Sequence, residues 1–231
     1  FSEEGSSTDI VENGTFFNSD ALPYIGYNDN VEIADNSTRK KYSLAPKPRM
    51  ASIDDTKAYG NTYISKDADW IRFEATVSTI PTQIAIAPGY LEKEWESNGR
   101  KYFKYKMDRP ILNFYSFLSA EYSVLKDKWI NPKDPSNVVN IEIYYHKDHT
   151  YNLDRMVNST KKSLDYYTSQ FSPYQHKQVR IIEFPRYASF AQSFPNTIPY
   201  SESIGFIAKV DASDVESIDF PFYVTAHEIG H

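Results

Sequence analysis

The sequence predicts a mainly β protein that turns α+β toward its C-terminal end. Residues 1–135 read as an antiparallel β-saddle or sandwich and residues 136–231 as an α+β region. Three observations carry this division. Apolar and polar residues alternate with period two from Trp70, an Asn98-Gly99 pair sits between two strand-like runs, and helical spacing begins at Leu153.

The first 60 residues are rich in Ser, Asp and Asn. Such residues favour turns, so this part reads as loops with short edge strands at Phe16-Phe17 and at Leu22 to Tyr27. From Trp70, the side chains of Ile71, Phe73, Ala75 and Val77 fall on one side and those of Arg72, Glu74 and Thr76 on the other. That is the pattern of a half-buried strand. Ile84 to Ala87 forms a second strand, ended by Pro88-Gly89. Asn-Gly suits a two-residue turn in which both central residues take positive φ, so Leu91–Trp95 and Tyr102–Tyr105 pair as a hairpin. Ile111 to Leu125 continues the strands, and 19 Tyr suit the surfaces of sheets.

Asn131-Pro132-Lys133-Asp134-Pro135 is polar and carries two prolines, and it reads as the domain boundary. Val138 to Tyr145 alternates as a strand. Leu153, Val157, Thr160, Leu164, Tyr167 and Phe171 then recur at the spacing of one apolar helix face. Val179, Ile181 and Phe184 mark a further strand. Pro195, Pro199 and Gly205 rule out a continuous helix across Ser193 to Phe206, and Pro221 is placed to open a helix that runs to the last residue.

Composition narrows the function classes. With 25 Lys+Arg against 31 Asp+Glu, the net charge of −6 removes the attraction on which nucleic-acid binders and anionic-membrane binders depend. No run approaches the ~18 apolar residues of a membrane span, so this part reads as a soluble domain. Cysteine is absent, which leaves His and carboxylate as the only strong metal ligands. The chain starts at Phe1 and stops at His231 inside the expected helix, so it is expected to be the N-terminal fragment of a longer protein.

His227-Glu228-Ile229-Gly230-His231 matches H-E-x-x-H. On a helix, residues four apart share a face, so two imidazoles can hold one zinc ion. Glu228 then stands beside that ion as general base for a metal-bound water. A core helix whose histidines make ordinary hydrogen bonds is the competing reading, and Gly230 weighs against it, because glycine costs about 1 kcal/mol in a helix interior. A catalytic zinc needs a third protein ligand. His146, His149 and His176 read as surface or turn residues, so the third ligand is expected beyond residue 231.

The motif, preceded by Val224-Thr225-Ala226, resembles the zinc helix of the aminopeptidase N family of gluzincins. The resemblance implies that residues 136–231 are the first part of a thermolysin-like catalytic domain, truncated at its zinc helix, and that residues 1–135 end a saddle domain. In that family a Gly-x-Met-Glu-Asn segment lies upstream of the zinc helix, and its Glu holds the substrate's free α-amine. Pro199-Tyr200-Ser201-Glu202-Ser203 stands in that place, with Glu202 lying 25 residues before His227. Pro199, Ser201 and Ser203 replace the family's Gly, Met and Asn. The resemblance thus implies a zinc aminopeptidase acting on peptides with a free N-terminus. In it His227 and His231 are ligands, Glu228 the base and Glu202 the amine anchor.

The chain also looks like the peptidase-like segments that follow ABC-type permease regions in some bacterial membrane proteins. That implies a membrane-bound parent from which this part projects. Two further readings stay open: a non-catalytic peptide-binding or accessory module of a transporter, and a zinc endopeptidase. The fragment alone is expected to be inactive and to hold zinc weakly.

Overall fold

The computed structural model describes residues 10–23, 32–47, 50–60, 70–211, 213–214 and 216–231. It is mainly β, with twelve strands and three α-helices among the described residues. The strands are β1 (Thr15–Asn18), β2 (Trp70–Ile71), β3 (Glu74–Thr79), β4 (Ile84–Ile86), β5 (Tyr90–Ser97), β6 (Arg100–Lys106), β7 (Ile111–Leu112), β8 (Ser116–Ala120), β9 (Ser123–Asn131), β10 (Asp134–Tyr145), β11 (Gln178–Phe184) and β12 (Thr197–Ser201). The helices are α1 (Asn36–Lys41), α2 (Leu153–Gln170) and α3 (Phe220–Gly230). No helix among the described residues is long and apolar enough to cross a membrane.

Phe16-Phe17 forms the expected edge strand, since β1 lies at one side of the sheet β1-β8-β4. From Tyr24 onward, the strand expected at Leu22 to Tyr27 lies outside the described residues. Helix α1, in a region expected to be loop, is one short turn held by its Asp35 cap, which accepts a hydrogen bond from Thr38 N at 2.7 Å. The run from Trp70 splits in two. Trp70-Ile71 pairs with β7, and β3 pairs with β6 in the antiparallel sheet β3-β6-β5. Asn98 and Gly99 have φ of 50° and 71° and close the β5–β6 hairpin as the dipeptide predicts.

Asn131 to Pro135, the segment read as the domain boundary, lies between two paired strands. This segment is the tip of the hairpin between β9 and β10, where Asn131 pairs with Asp134. Asn131 Oδ1 accepts from Lys133 N at 2.9 Å and Asp134 Oδ1 from Ser136 N at 3.0 Å. Polar residues and prolines mark linkers and tight turns alike, which is why composition could not separate them. Strand β9, placed with residues 1–135, runs antiparallel to β10 in the four-stranded sheet β12-β11-β10-β9. A division at residue 135 would cut through that sheet.

In this sheet β10, β11 and β12 run parallel, so their C-terminal ends lie along one edge. Both faces are covered. Ile141, Ile143, Val179 and Ile181 pack with Met156 and Leu164 of α2 and Ile229 of α3. On the opposite face, Tyr144, Ile182 and Phe184 meet Phe16, Ile86 and Leu118 of the sheet β1-β8-β4. Odd positions of β11 serve one core and even positions the other, as the two-residue period requires. Burial of each such aliphatic side chain stabilises by about 1.5–3 kcal/mol.

Arg180 is an exception on an apolar face. Its side chain is buried, with its guanidinium 5.0 Å from the ring centre of Tyr105. Nη2 lies within hydrogen-bond distance of Ala87 O, Gly89 O, Asn196 Oδ1 and Thr197 Oγ1, at 2.6 to 3.1 Å. It therefore ties the turn after β4 to the start of β12.

Candidate metal centre and the cleft beside it

Helix α3 begins at its Asp219 cap, whose Oδ1 accepts from Phe222 N at 3.0 Å, with Pro221 in the first turn as expected. Three side chains of α2 hold it. Arg155 Nη1 donates to Asp219 Oδ2 at 2.5 Å, Ser159 Oγ to Phe222 O at 2.7 Å, and Tyr167 Oη to Ala226 O at 3.1 Å. Gly230 has a packing role here. A Cβ added at Gly230 would stand 3.1 Å from Tyr167 Oη and 3.2 Å from its Cζ, so glycine lets the two helices approach.

At the end of α3, His227 Nε2 and His231 Nε2 are 3.1 Å apart, and the two rings are nearly perpendicular at 88°. Two nitrogens about 2.05 Å from a tetrahedral zinc ion stand about 3.4 Å from each other, so the pair fits one ion with little adjustment. Both imidazoles are exposed, while Glu228 between them is buried. Its Oε2 accepts from Ser193 Oγ at 2.8 Å, and Ser193 Oγ is also 2.6 Å from Glu228 O. One hydroxyl thus bridges the carboxylate and the backbone of the same residue. Among the described residues no third imidazole or carboxylate joins His227 and His231.

A cleft of about 370 Å³ opens beside Glu228 and His231. Its polar lining includes Ser193, Asn196, Arg109, Gln175 and His176, and Glu228 is the only carboxylate among its described lining residues. His176 is buried, which pushes its pKa down to about 4; Arg109 adds to the effect and Asp108 opposes it. A second cavity, of about 620 Å³, lies across α3, lined by Leu164, Tyr167, Phe171 and Tyr174 together with His227.

The structure brings His227, Glu228 and His231 together and seats Glu202 in another group. Glu202 follows β12 directly. Its Oε1 accepts from Arg186 N at 3.2 Å and lies 3.7 Å from Arg186 Nε, and its Oε2 is 3.9 Å from His149 Nδ1. The residue bonded to the Glu228 carboxylate is Ser193. Nothing in its local sequence marks it, because strand pairing brings it back to α3.

Glu202, His149 and Glu183 form a cluster whose ligand atoms lie within 4.8 Å of one another. Glu183 is fully buried, accepts from His146 N at 2.7 Å, and is hydrogen-bonded to His149 Nδ1. Burial pushes the Glu183 carboxyl up to about 7, and the bonds from His149 and His146 only partly oppose it. By sequence, His146 and His149 read as surface or turn residues. A turn does hold them, with His149 N donating to His146 O at 2.8 Å, but it directs His149 at a buried carboxylate.

No protein-family model matches the chain, and no curated protein matches it in sequence. Among solved structures, the chain is similar in fold to Legionella pneumophila aminopeptidase A, determined in complex with aspartic acid. The TM-score is 0.60 at 16% identity, over 70% of this chain and 19% of that one. The chain therefore spans about a fifth of that protein's length. The likeness is one of fold, to part of that aminopeptidase.

Proposed function

We propose that this chain carries part of the active site of a zinc-dependent metallopeptidase of aminopeptidase type. The observation that carries the reading is the convergence of His227 Nε2 and His231 Nε2 at 3.1 Å, with the buried Glu228 one residue along the same helix. The fold's likeness to an aminopeptidase supports it. His227 and His231 would hold the zinc, which when bound supplies a Lewis acid and lowers the pKa of water to about 7.

Glu228 takes the proton from the attacking water and returns it to the leaving amine. Ser193 fixes the rotamer of that carboxylate through the bond at 2.8 Å, so the base is positioned before substrate arrives. The cleft beside Glu228 receives the peptide. A substrate with a free N-terminus needs a carboxylate for its ammonium group. The resemblance implies Glu202 as that carboxylate, and in this structure Glu202 faces Arg186 and His149.

A second reading is a peptide-binding module without turnover. The single carboxylate among the cleft's described lining residues favours it. The natural protein that carries this chain separates the two readings when compared with its Glu228→Gln variant. For the peptidase, both bind zinc and release of aminoacyl anilides falls about 10²–10⁴-fold in the variant. Zinc in both, with no turnover on free-amine or N-blocked peptides, would establish the binding module.

A further inference from the structure

The cluster on the edge of the four-stranded sheet is independent of the His227–His231 helix. We propose that His149, Glu183 and Glu202 form a second divalent-cation site of zinc type, at the C-terminal ends of β10, β11 and β12. Each of three adjacent parallel strands contributes one element. The turn after β10 carries His149, β11 carries Glu183 beside its last residue, and Glu202 follows the last residue of β12. Ligand sites in sheets with parallel strands gather at this edge, because the loops that leave it can converge.

The donor set is chemically suited. One imidazole and two carboxylates make an N/O set that zinc accepts, and the three ligand atoms already lie within 4.8 Å of one another. Glu183 is fully buried with Glu202 close by, so two carboxylates converge on one imidazole. Arg186 faces Oε1 of Glu202, while Oε2 is the oxygen nearer His149.

His146 adds a further, uncommitted donor. It stands in the same turn with its ring centre 5.8 Å from that of His149, and its Nε2 is buried with no hydrogen-bond partner among the described residues. A buried ring nitrogen without a protein partner is rare in folded proteins, and such an atom commonly faces a bound ion or an ordered water. The ion would take the place of the hydrogen bond between His149 and Glu183 and would bind both carboxylates.

Zinc titration of the chain by calorimetry tests this, with His227→Ala and His231→Ala introduced together to remove the helix pair. The expected result is one equivalent of zinc bound by that double variant. Adding His149→Ala, or in a separate protein Glu202→Gln, weakens binding at least about 10-fold. Both added substitutions fall on partly exposed side chains, and circular dichroism confirms that each protein is folded. A folded double variant that binds no zinc overturns the proposal. So does zinc binding that neither His149→Ala nor Glu202→Gln alters.

Discussion

Replacing Arg180 with methionine tests the tie that holds the antiparallel layer to the parallel sheet. The four acceptors around Arg180 all face Nη2, which has only two N–H groups, so two strong bonds are shared among Ala87 O, Gly89 O, Asn196 Oδ1 and Thr197 Oγ1. A hydrogen bond from a charged donor contributes about 1.5–3 kcal/mol, so the pair accounts for about 3–6 kcal/mol. Methionine keeps the apolar stem but leaves buried carbonyls unpaired, and the guanidinium's contact with Tyr105 is lost as well. Relief of the buried charge itself acts in the opposite direction. We expect Arg180→Met to lower stability by about 3–6 kcal/mol in urea unfolding with an unchanged slope. For a chain of this size that corresponds to a drop of roughly 6–24 °C in melting temperature. A loss below about 1 kcal/mol would refute the reasoning, because the carbonyls would then be satisfied without Arg180.

Three further outcomes are expected. Gly205→Ala places a Cβ 2.3 Å from Cε1 of the buried Tyr200, so it destabilises by about 1–3 kcal/mol, measured by the same unfolding titration. His176 has its folded pKa lowered by burial to about 4 from 6.5, so between these values the unfolded chain binds more protons. Stability therefore falls as pH drops from about 6.5 toward 4, and His176→Phe flattens that part of the pH–stability curve relative to its own value at pH 7. Ser193→Ala removes the bond to the Glu228 carboxylate, and in the natural protein it lowers kcat about tenfold with zinc content unchanged, read by anilide release and metal analysis.

Features encoded in short segments were legible in the sequence. Asn98-Gly99 specifies its turn because few other residues tolerate positive φ at both positions. The apolar stripe from Leu153 marks α2, Pro221 opens α3, and the spacing of His227 and His231 places two imidazoles on one helix face. In each case the cause lies within a few residues of its effect.

Tertiary structure decided the rest. That Asn131 to Pro135 is a hairpin tip depends on β9 finding β10 as its partner, and a polar, proline-bearing segment is compatible with either a turn or a linker. Ser193 meets Glu228 across 35 residues, and Glu202 joins His149 and Glu183 because β12 lies beside β11 in one register. The sequence by itself determined the two long helices, the hairpin turn and the pairing of His227 with His231 on one helix face. Which carboxylates and hydroxyls stand beside them was decided by strand pairing, because registry between distant strands is a property of the whole core and not of any segment within it.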